Sequence, residues 1–326
     1  MKDLKQRIMA AVEDDLDAVE TALGDNLNPH FELVQQVAGH ILYAGGKRLR
    51  PLLMVLAARI CGYQGDHAAK YAVIFEYLHA ATLLHDDVVD GGKLRRGAPA
   101  AHQQWDPPTA VLTGDFLLAR ALSLAAHTGL PAVIETIAAI TEQMSQAEIE
   151  QLARKGDLKL TEAEYLDVIR CKTAVLFQGA CRVGGLISTS SGQQVQTLGD
   201  YGHHLGMAFQ MADDLLDYTM DTSALGKKVG ADLREGKLTL PVIFTLQQTG
   251  SQEHKWMTEL IQAGDFTPAQ FARLIDLLNE NGGISYTRRC AAAHVLKAKA
   301  ALGIFPTGPE RTILEDIADY ALVRKA

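Results

Sequence analysis

Two short stretches place carboxylates where apolar side chains belong. The first, LLHDDVVDGGKLRRG over residues 83–97, sets Asp86, Asp87 and Asp90 in an apolar run and follows them with Arg95 and Arg96. The second, FQMADDLLDY, repeats the DDxxD spacing with Asp213, Asp214 and Asp217. An unpaired buried carboxylate costs several kcal/mol, so something cationic must compensate. On a helix, positions i and i+4 share a face about 6 Å apart. Asp86 with Asp90, and Asp213 with Asp217, thus make two carboxylate edges. Such edges facing each other across a bundle would hold hard divalent cations, and oxygen-only ligands select Mg2+ or Mn2+ over zinc. A third acidic stretch, VEDDLD over 12–17, lies in an ordinary charged amphipathic segment and reads as a solvated face.

Basic residues accompany the carboxylates. GGKRLRP supplies Lys47, Arg48 and Arg50 before an apolar helical run, Arg95 and Arg96 follow the first acidic helix, and GKKVGADLREGKLTLP supplies Lys227, Lys228 and Lys237 after the second. Glycine-rich loops and helix termini also present backbone N–H groups to phosphate. Two acidic and three basic clusters make room for two diphosphates, although each basic loop alone reads equally well as solvated surface. His79 lies seven residues before Asp86 and Gln210 three before Asp213, each on its aspartate's face. Lys172-Thr173 in RCKTAVLF passes as an ordinary helix start. HDD at 85–87 also fits the metal pair of a phosphohydrolase, which needs a distant histidine and aspartate as well. A di-metal bundle oxidase would need Glu-x-x-His pairs, and none is suitably placed.

The elements that must position these groups read as helices throughout. Apolar residues recur at three- and four-residue spacing, as in Leu4, Ile8, Val12, Leu16, Val19 and Leu23, or Val73, Ile74, Tyr77, Leu78, Ala81 and Leu84. Strand-like alternation is essentially absent. Breaks such as GYQGDH (62–67), GGKLRRGAPA (91–100), KGDLKLT (155–161) and MDTSALGKKVG (220–230) divide the chain into about ten or more helices. No composition shift or repeat marks a boundary, so 1–326 is expected to form one all-α domain, a large bundle. The 326 residues are 48% hydrophobic, ample for a buried core. A net charge of −8 argues against wholesale nucleic-acid binding. Four scattered cysteines without a CxxC pair suggest reduced thiols. The N-terminal stretch lacks a signal-like apolar run, and no run of about 20 uncharged apolar residues exists, so a cytoplasmic protein without a membrane span is expected.

In order, GGKRLRP, LLHDDVVD, LRRG, GDFLLARAL, KT, FQMADDLLDY and GKKVGADLREGKLTLP together resemble the trans-isoprenyl diphosphate synthases, the polyprenyl synthetase family, and most of all its bacterial octaprenyl/polyprenyl branch. The resemblance covers nearly the whole chain. It departs at QAEIEQL (146–152), where Gln146 replaces an acid of the family's EGExxQ. The resemblance implies an all-α isoprenoid synthase bundle with a central tunnel. It implies condensation of isopentenyl diphosphate with an allylic diphosphate, with Mg2+ as cofactor. Lys47, Arg50, His79 and Arg96 would hold isopentenyl diphosphate. Asp86, Asp90, Asp213 and Asp217 would bind metal, with Asp87 and Asp214 beside them. Arg95, Lys172, Thr173, Gln210, Lys227 and Lys237 would hold the allylic diphosphate, and Lys172 and Lys237 count among the catalytic residues. A homodimer is implied, for which residues 1–22 are a candidate contact, and the product is of a kind that associates with membranes. A class I terpene cyclase would not need the second diphosphate site, and an inactive subunit of the same fold would have lost an aspartate motif.

Product length is read by counting back from Asp86. Thr82 is four residues earlier on nearly the same face, Ala81 sits beside it, and Leu78 lies one turn deeper. Short-chain relatives tend to carry aromatic plugs four and five residues before the first aspartate. The small Ala81 and Thr82 therefore imply an open tunnel and an all-trans product longer than C20. The alternatives are a geranylgeranyl or farnesyl diphosphate synthase, with Ala81 merely permitting close helix packing.

Overall fold

The apolar run before the first aspartates forms a 22-residue helix, α5 (Ala68–Val89), about 33 Å long. Val73, Ile74, Phe75, Tyr77 and Leu84 are all fully buried, so α5 is apolar almost all round and needs neighbours on every side. The computed structural model describes residues 2–219 and 230–323, with side chains from Leu4 onward. Lys227 and Lys228 lie outside the described residues. Around α5 stand α2 (Glu13–Leu27), α3 (Glu32–Leu42), α4 (Leu49–Ile60) and α7 (Pro107–His127), with α1 (Lys2–Ala11) further out and the short α6 (Ala101–Gln104) between. The second aspartate motif ends a 28-residue helix, α11 (Gly192–Thr219), which packs between α10 (Val175–Ile187) and α16 (Gly283–Ala301). α8 (Pro131–Ala153) and α9 (Glu162–Ile169) close one side. After α12 (Ala231–Arg234), the helices α13 (Leu240–Gln248), α14 (Ser251–Ala263) and α15 (Pro268–Glu280) cover the end of α11, and α17 (Pro309–Val323) completes the chain.

Small residues bring the second aspartate helix, α11, close against α10. A Cβ on Gly202 would lie 2.5 Å from the Phe177 carbonyl oxygen, and one on Gly206 would lie 2.5 Å from Ala174 Cα. The α10 and α11 backbones therefore touch, which no larger residue at these positions would permit.

Three local features differ from the sequence expectations. The loop after α5 contains a two-stranded hairpin, β1 (Leu94–Arg95) with β2 (Ala98–Pro99), paired Leu94↔Pro99 and Arg95↔Ala98. Its two-residue turn puts Arg96 and Gly97 at positive φ (51° and 81°), as the favoured tight hairpin turns require. Lys172-Thr173 does not start a helix: Arg170–Ala174 is a π-helical turn joining α9 to α10. VEDDLD is not a fully solvated face either, because Asp15 is buried and accepts from Arg59 at 2.6 Å. α1 packs within the chain on α17, with Arg7 bridging Asp316 at 2.6 and 2.7 Å. One helix, α7, is long and apolar enough to cross a membrane by length and composition alone. It nevertheless carries Asp115 and Arg120, packs along α5, and anchors Arg120 on the Asn26 carbonyl.

Candidate active site

One cleft of about 1000 Å³ opens between α5, α8, the π-helical turn and α11. Asp86 and Asp213, the first aspartate of each motif, both line it. Lys47, Arg50, His79, Arg95 and Arg96 line it from the 44–50 loop, α5 and the hairpin. Lys172, Thr173 and Gln210 line it from the π-helical turn and α11, and Leu78, Ala81 and Thr82 continue its wall below Asp86.

The helical repeat divides the aspartates of each motif. Successive residues are turned about 100° around the axis, so the second aspartate cannot share the first one's outlook. Asp87 and Asp214, expected among the catalytic residues, are 5% and 3% exposed and are not among the cleft-lining residues. Asp87 takes a two-pronged ion pair from Arg95, both bonds 2.6 Å, which fixes the base of the hairpin. Arg95, expected on the allylic diphosphate, is committed to that pair in this state. Asp214 accepts from the Tyr165 hydroxyl and from Gln210 Nε2 at 2.8 Å. Burial and the nearby Asp232 push its carboxyl well above the usual range. Both are placed to position their neighbours.

The fifth position of each motif lies at the rim. Asp90 accepts from Lys155 at 3.0 Å and from Lys237 at 2.8 Å. Burial alone would raise its carboxyl, but the two ammonium groups hold it below the usual range. Asp217 accepts the backbone N–H groups of Ala231 and Asp232, at 3.1 and 3.2 Å, at the start of α12. Among the described residues, no three His, Cys, Asp or Glu side chains are gathered as a metal-holding group. The expected four-carboxylate set therefore does not stand together in this state, because Asp90 and Asp217 are engaged elsewhere.

The oxygen donors nonetheless suit a hard divalent cation. Burial, with Glu148 and Asp90 nearby, pushes the Asp86 carboxyl up to about 6, although Lys172 opposes the shift. Glu148 Oε1 is buried without a hydrogen-bond partner while Oε2 pairs with Lys172. Ammonium groups on Asp90 stand where a metal ion would otherwise compensate the carboxylate. All these donors are oxygens, as Mg2+ and Mn2+ prefer.

The opposite side of the cleft is cationic. His79 is half-buried in the cleft wall, and desolvation together with Arg50, Arg96, Arg95 and Arg48 holds its imidazole well below the usual range, hence neutral. The Arg50 guanidinium lies over the Phe177 ring at 4.8 Å. Arg48 from the same GGKRLRP run is structural instead. It is buried at positive φ (45°), donates to Glu20 and to Glu76 at 2.6 and 2.7 Å, and caps the Leu42 carbonyl.

Several participants escaped the sequence reading. Lys172 donates to Gln151 at 2.8 Å as well as pairing with Glu148, and Thr173 donates to Gln210 at 2.7 Å. The π-helical turn adds a residue to the helix and turns both side chains inward, a common use of such turns. QAEIEQL contained the signal, since Glu148 and Gln151 are one turn apart on α8. Gln146, the departure from the family pattern, is exposed beside Glu142 and does not line the cleft. Lys155 and Tyr165 carried no motif that would have singled them out.

An all-α bundle whose cleft sets helix-borne aspartates against a cationic wall, above an apolar tunnel, is the architecture of an isoprenoid synthase. The polyprenyl synthetase family model matches residues 31–278, and the chain belongs to that family of prenyltransferases. It is 36% identical to octaprenyl diphosphate synthase of Escherichia coli K12, over 98% of each chain. It is 38% identical to an all-trans-nonaprenyl-diphosphate synthase (geranyl-diphosphate specific) of Rhodobacter capsulatus, over 99% of this chain and 98% of that one. Among solved structures, the polyprenyl synthase of Caulobacter crescentus CB15, complexed with calcium and isoprenyl diphosphate, superposes with a TM-score of 0.93 at 41% identity, covering 98% of both chains.

Proposed function

We propose that this enzyme condenses isopentenyl diphosphate with an allylic diphosphate and releases an all-trans polyprenyl diphosphate longer than C20. The observation that carries the reading is the single cleft in which Asp86 and Asp213 face Lys47, Arg50, His79 and Arg96 above an apolar wall. Asp86, Asp90 and Asp213, with Asp217 at the rim, would hold Mg2+, for which Mn2+ can substitute. Bound there, the metal would neutralise charge on the allylic leaving group.

The chain's own residues do the rest. Lys172, Thr173, Gln210 and Lys237 grip the allylic diphosphate and stabilise charge as its C–O bond breaks. Lys47, Arg50 and Arg96, with neutral His79, hold the second diphosphate so that its double bond lies within reach of the allylic cation. The new C–C bond forms, and the proton lost from the isopentenyl unit goes to the departed diphosphate. Leu78, Ala81, Leu118, Met144 and Leu176 keep water from the cation along the tunnel. The cleft wall that holds Leu78 also includes Leu118, Met144 and Leu176, and the flexible Met144 yields to a growing chain. That supports the longer product, as do the names of the relatives. Exposed Leu112 and Leu122 on α7, with Ile134 on α8, favour a homodimer through these two helices.

The decisive test is metal-dependent turnover. Asp86→Ala and Asp213→Ala should each lower kcat by about 10³-fold or more with the circular dichroism spectrum intact, in line with losses of directed charge stabilisation at reacting centres. EDTA should stop the wild type. Turnover in EDTA, or a near-wild-type rate in either variant, would contradict the assignment.

A further inference from the structure

Each of the two Asp90 oxygens holds an ammonium group, Oδ1 that of Lys155 at 3.0 Å and Oδ2 that of Lys237 at 2.8 Å. The two lysines come from loops 65 and 147 residues away from Asp90. These loops are joined at the rim, where Gly156 N–H donates to the Gly236 carbonyl at 2.8 Å. Gly236 sits at φ 75°, and a Cβ there would lie 3.3 Å from Gly156 N, so the close approach needs glycine. The lysines are not equivalent. Lys237 is anchored a second time, on Glu235 at 2.8 Å, and its side chain is 14% exposed. Among the described residues Lys155 pairs only with Asp90, and its side chain is 31% exposed.

We propose that Lys155 is a counter-ion latch: its ammonium holds Asp90 while the cleft is empty, and swings onto the incoming diphosphate when a divalent cation takes the carboxylate. The proposal rests on the prenyl-transfer reading above. Its physical basis is mutual exclusion. Two ammonium groups and a dication cannot share one carboxylate, since like charges at contact distance repel. The displaced lysine finds its next anion in the diphosphate that arrives with the metal. A lysine suits this exchange, being a compact charge on a flexible four-carbon stem. The more exposed, singly anchored Lys155 is the one able to leave, while Lys237 remains tied by Glu235. The latch also keeps Asp90 compensated between turnovers, where an unpaired, partly buried carboxylate would destabilise the rim.

The latch predicts opposite shifts in two measurements. Lys155→Met removes the competitor for Asp90, so substrate-free protein should bind Mn2+, followed by loss of the free-ion EPR signal, about fivefold more tightly, the size expected for losing a partly exposed ion pair. The same variant should raise KM for the allylic diphosphate about tenfold, because one charge-assisted hydrogen bond to phosphate is lost. Lys155→Arg should keep both values near wild type. A lysine that merely braces the loop would lower stability without tightening Mn2+ binding. Unchanged or weaker Mn2+ binding by Lys155→Met therefore overturns the latch. Asp90→Asn in the same assay separates the two readings. If it loses Mn2+ affinity while Lys155→Met does not gain any, only the latch falls. If Asp90→Asn binds Mn2+ like the wild type, the metal assignment beneath it falls too.

Discussion

Ala81→Phe should shorten the product without stopping the enzyme. Ala81 lies five residues before Asp86 on α5, which places it about 7.5 Å down the helix axis. An extended chain advances roughly 3.5 Å per three backbone bonds, so a four-bond isoprene unit spans roughly 4.7 Å. One unit at the level of Asp86 and one or two below it therefore fit above a ring at position 81. The last condensation adds one unit more, and the product should collect at C15–C20. Packing decides whether the variant folds. In a filled core the added ring would cost about 1–3 kcal/mol. Ala81 lines the cleft, however, so the ring enters open space and Tm should fall by no more than about 2 °C. The assay is reversed-phase chromatography of products made from labelled isopentenyl diphosphate and a short allylic primer. Wild-type product should run later than geranylgeranyl standards and the variant's product at or before them. An unchanged product distribution would refute the tunnel's course past Ala81. A large fall in Tm with loss of turnover would show that Ala81 faces packed core instead.

Three further outcomes can be measured. Arg96→Ala and Lys47→Ala should raise KM for isopentenyl diphosphate about 10- to 100-fold and leave the allylic KM nearly unchanged, while Lys237→Ala should do the reverse; equal effects on both substrates would dissolve the two-site assignment. His203, His204 and His294 form a cluster between α11 and α16, with the rings of His204 and His294 joined at 3.1 Å. Burial lowers all three, reinforced by Arg170 and Lys297 at His203 and by neighbouring histidines and Lys297 at His204 and His294, with Asp200 opposing at His203 and His204; His294 falls to about 4 from an ordinary 6.5. Because the folded values are depressed, their stabilisation is present above pH 6.5 and is lost as pH falls toward 4, so His294→Gln should flatten the decline of urea midpoints over that window, and parallel wild-type and variant curves would contradict this. Finally, Leu112→Glu combined with Leu122→Glu should convert a dimer to monomers by sedimentation, and an unaffected dimer would place the interface elsewhere.

The sequence by itself determined the chemistry and the class of fold. Two DDxxD motifs embedded in apolar helical runs demand compensating cations, and the basic loops that supply them stand in the same chain. Three- and four-residue periodicity without strand alternation leaves a helical bundle as the way to bury so apolar a chain. Periodicity also states which side chains share a face, such as Asp86 with Asp90. It does not state which face looks onto a void. Tertiary packing decided that Asp86 and Asp213 line the cleft, that Asp87 steadies Arg95, that Asp214 meets Tyr165, and that Asp217 caps α12. It made Arg48, itself at the cleft wall, a buried tie between α2 and α5. It turned Lys172 and Thr173 inward through a π-helical turn that local spacing does not reveal. It brought Lys155 and Lys237 to Asp90 across 65 and 147 residues. Local spacing fixes the neighbours within one helix, whereas contacts between loops depend on how helices pack, and here the Lys155 and Lys237 loops meet where Gly236 allows Gly156 to approach.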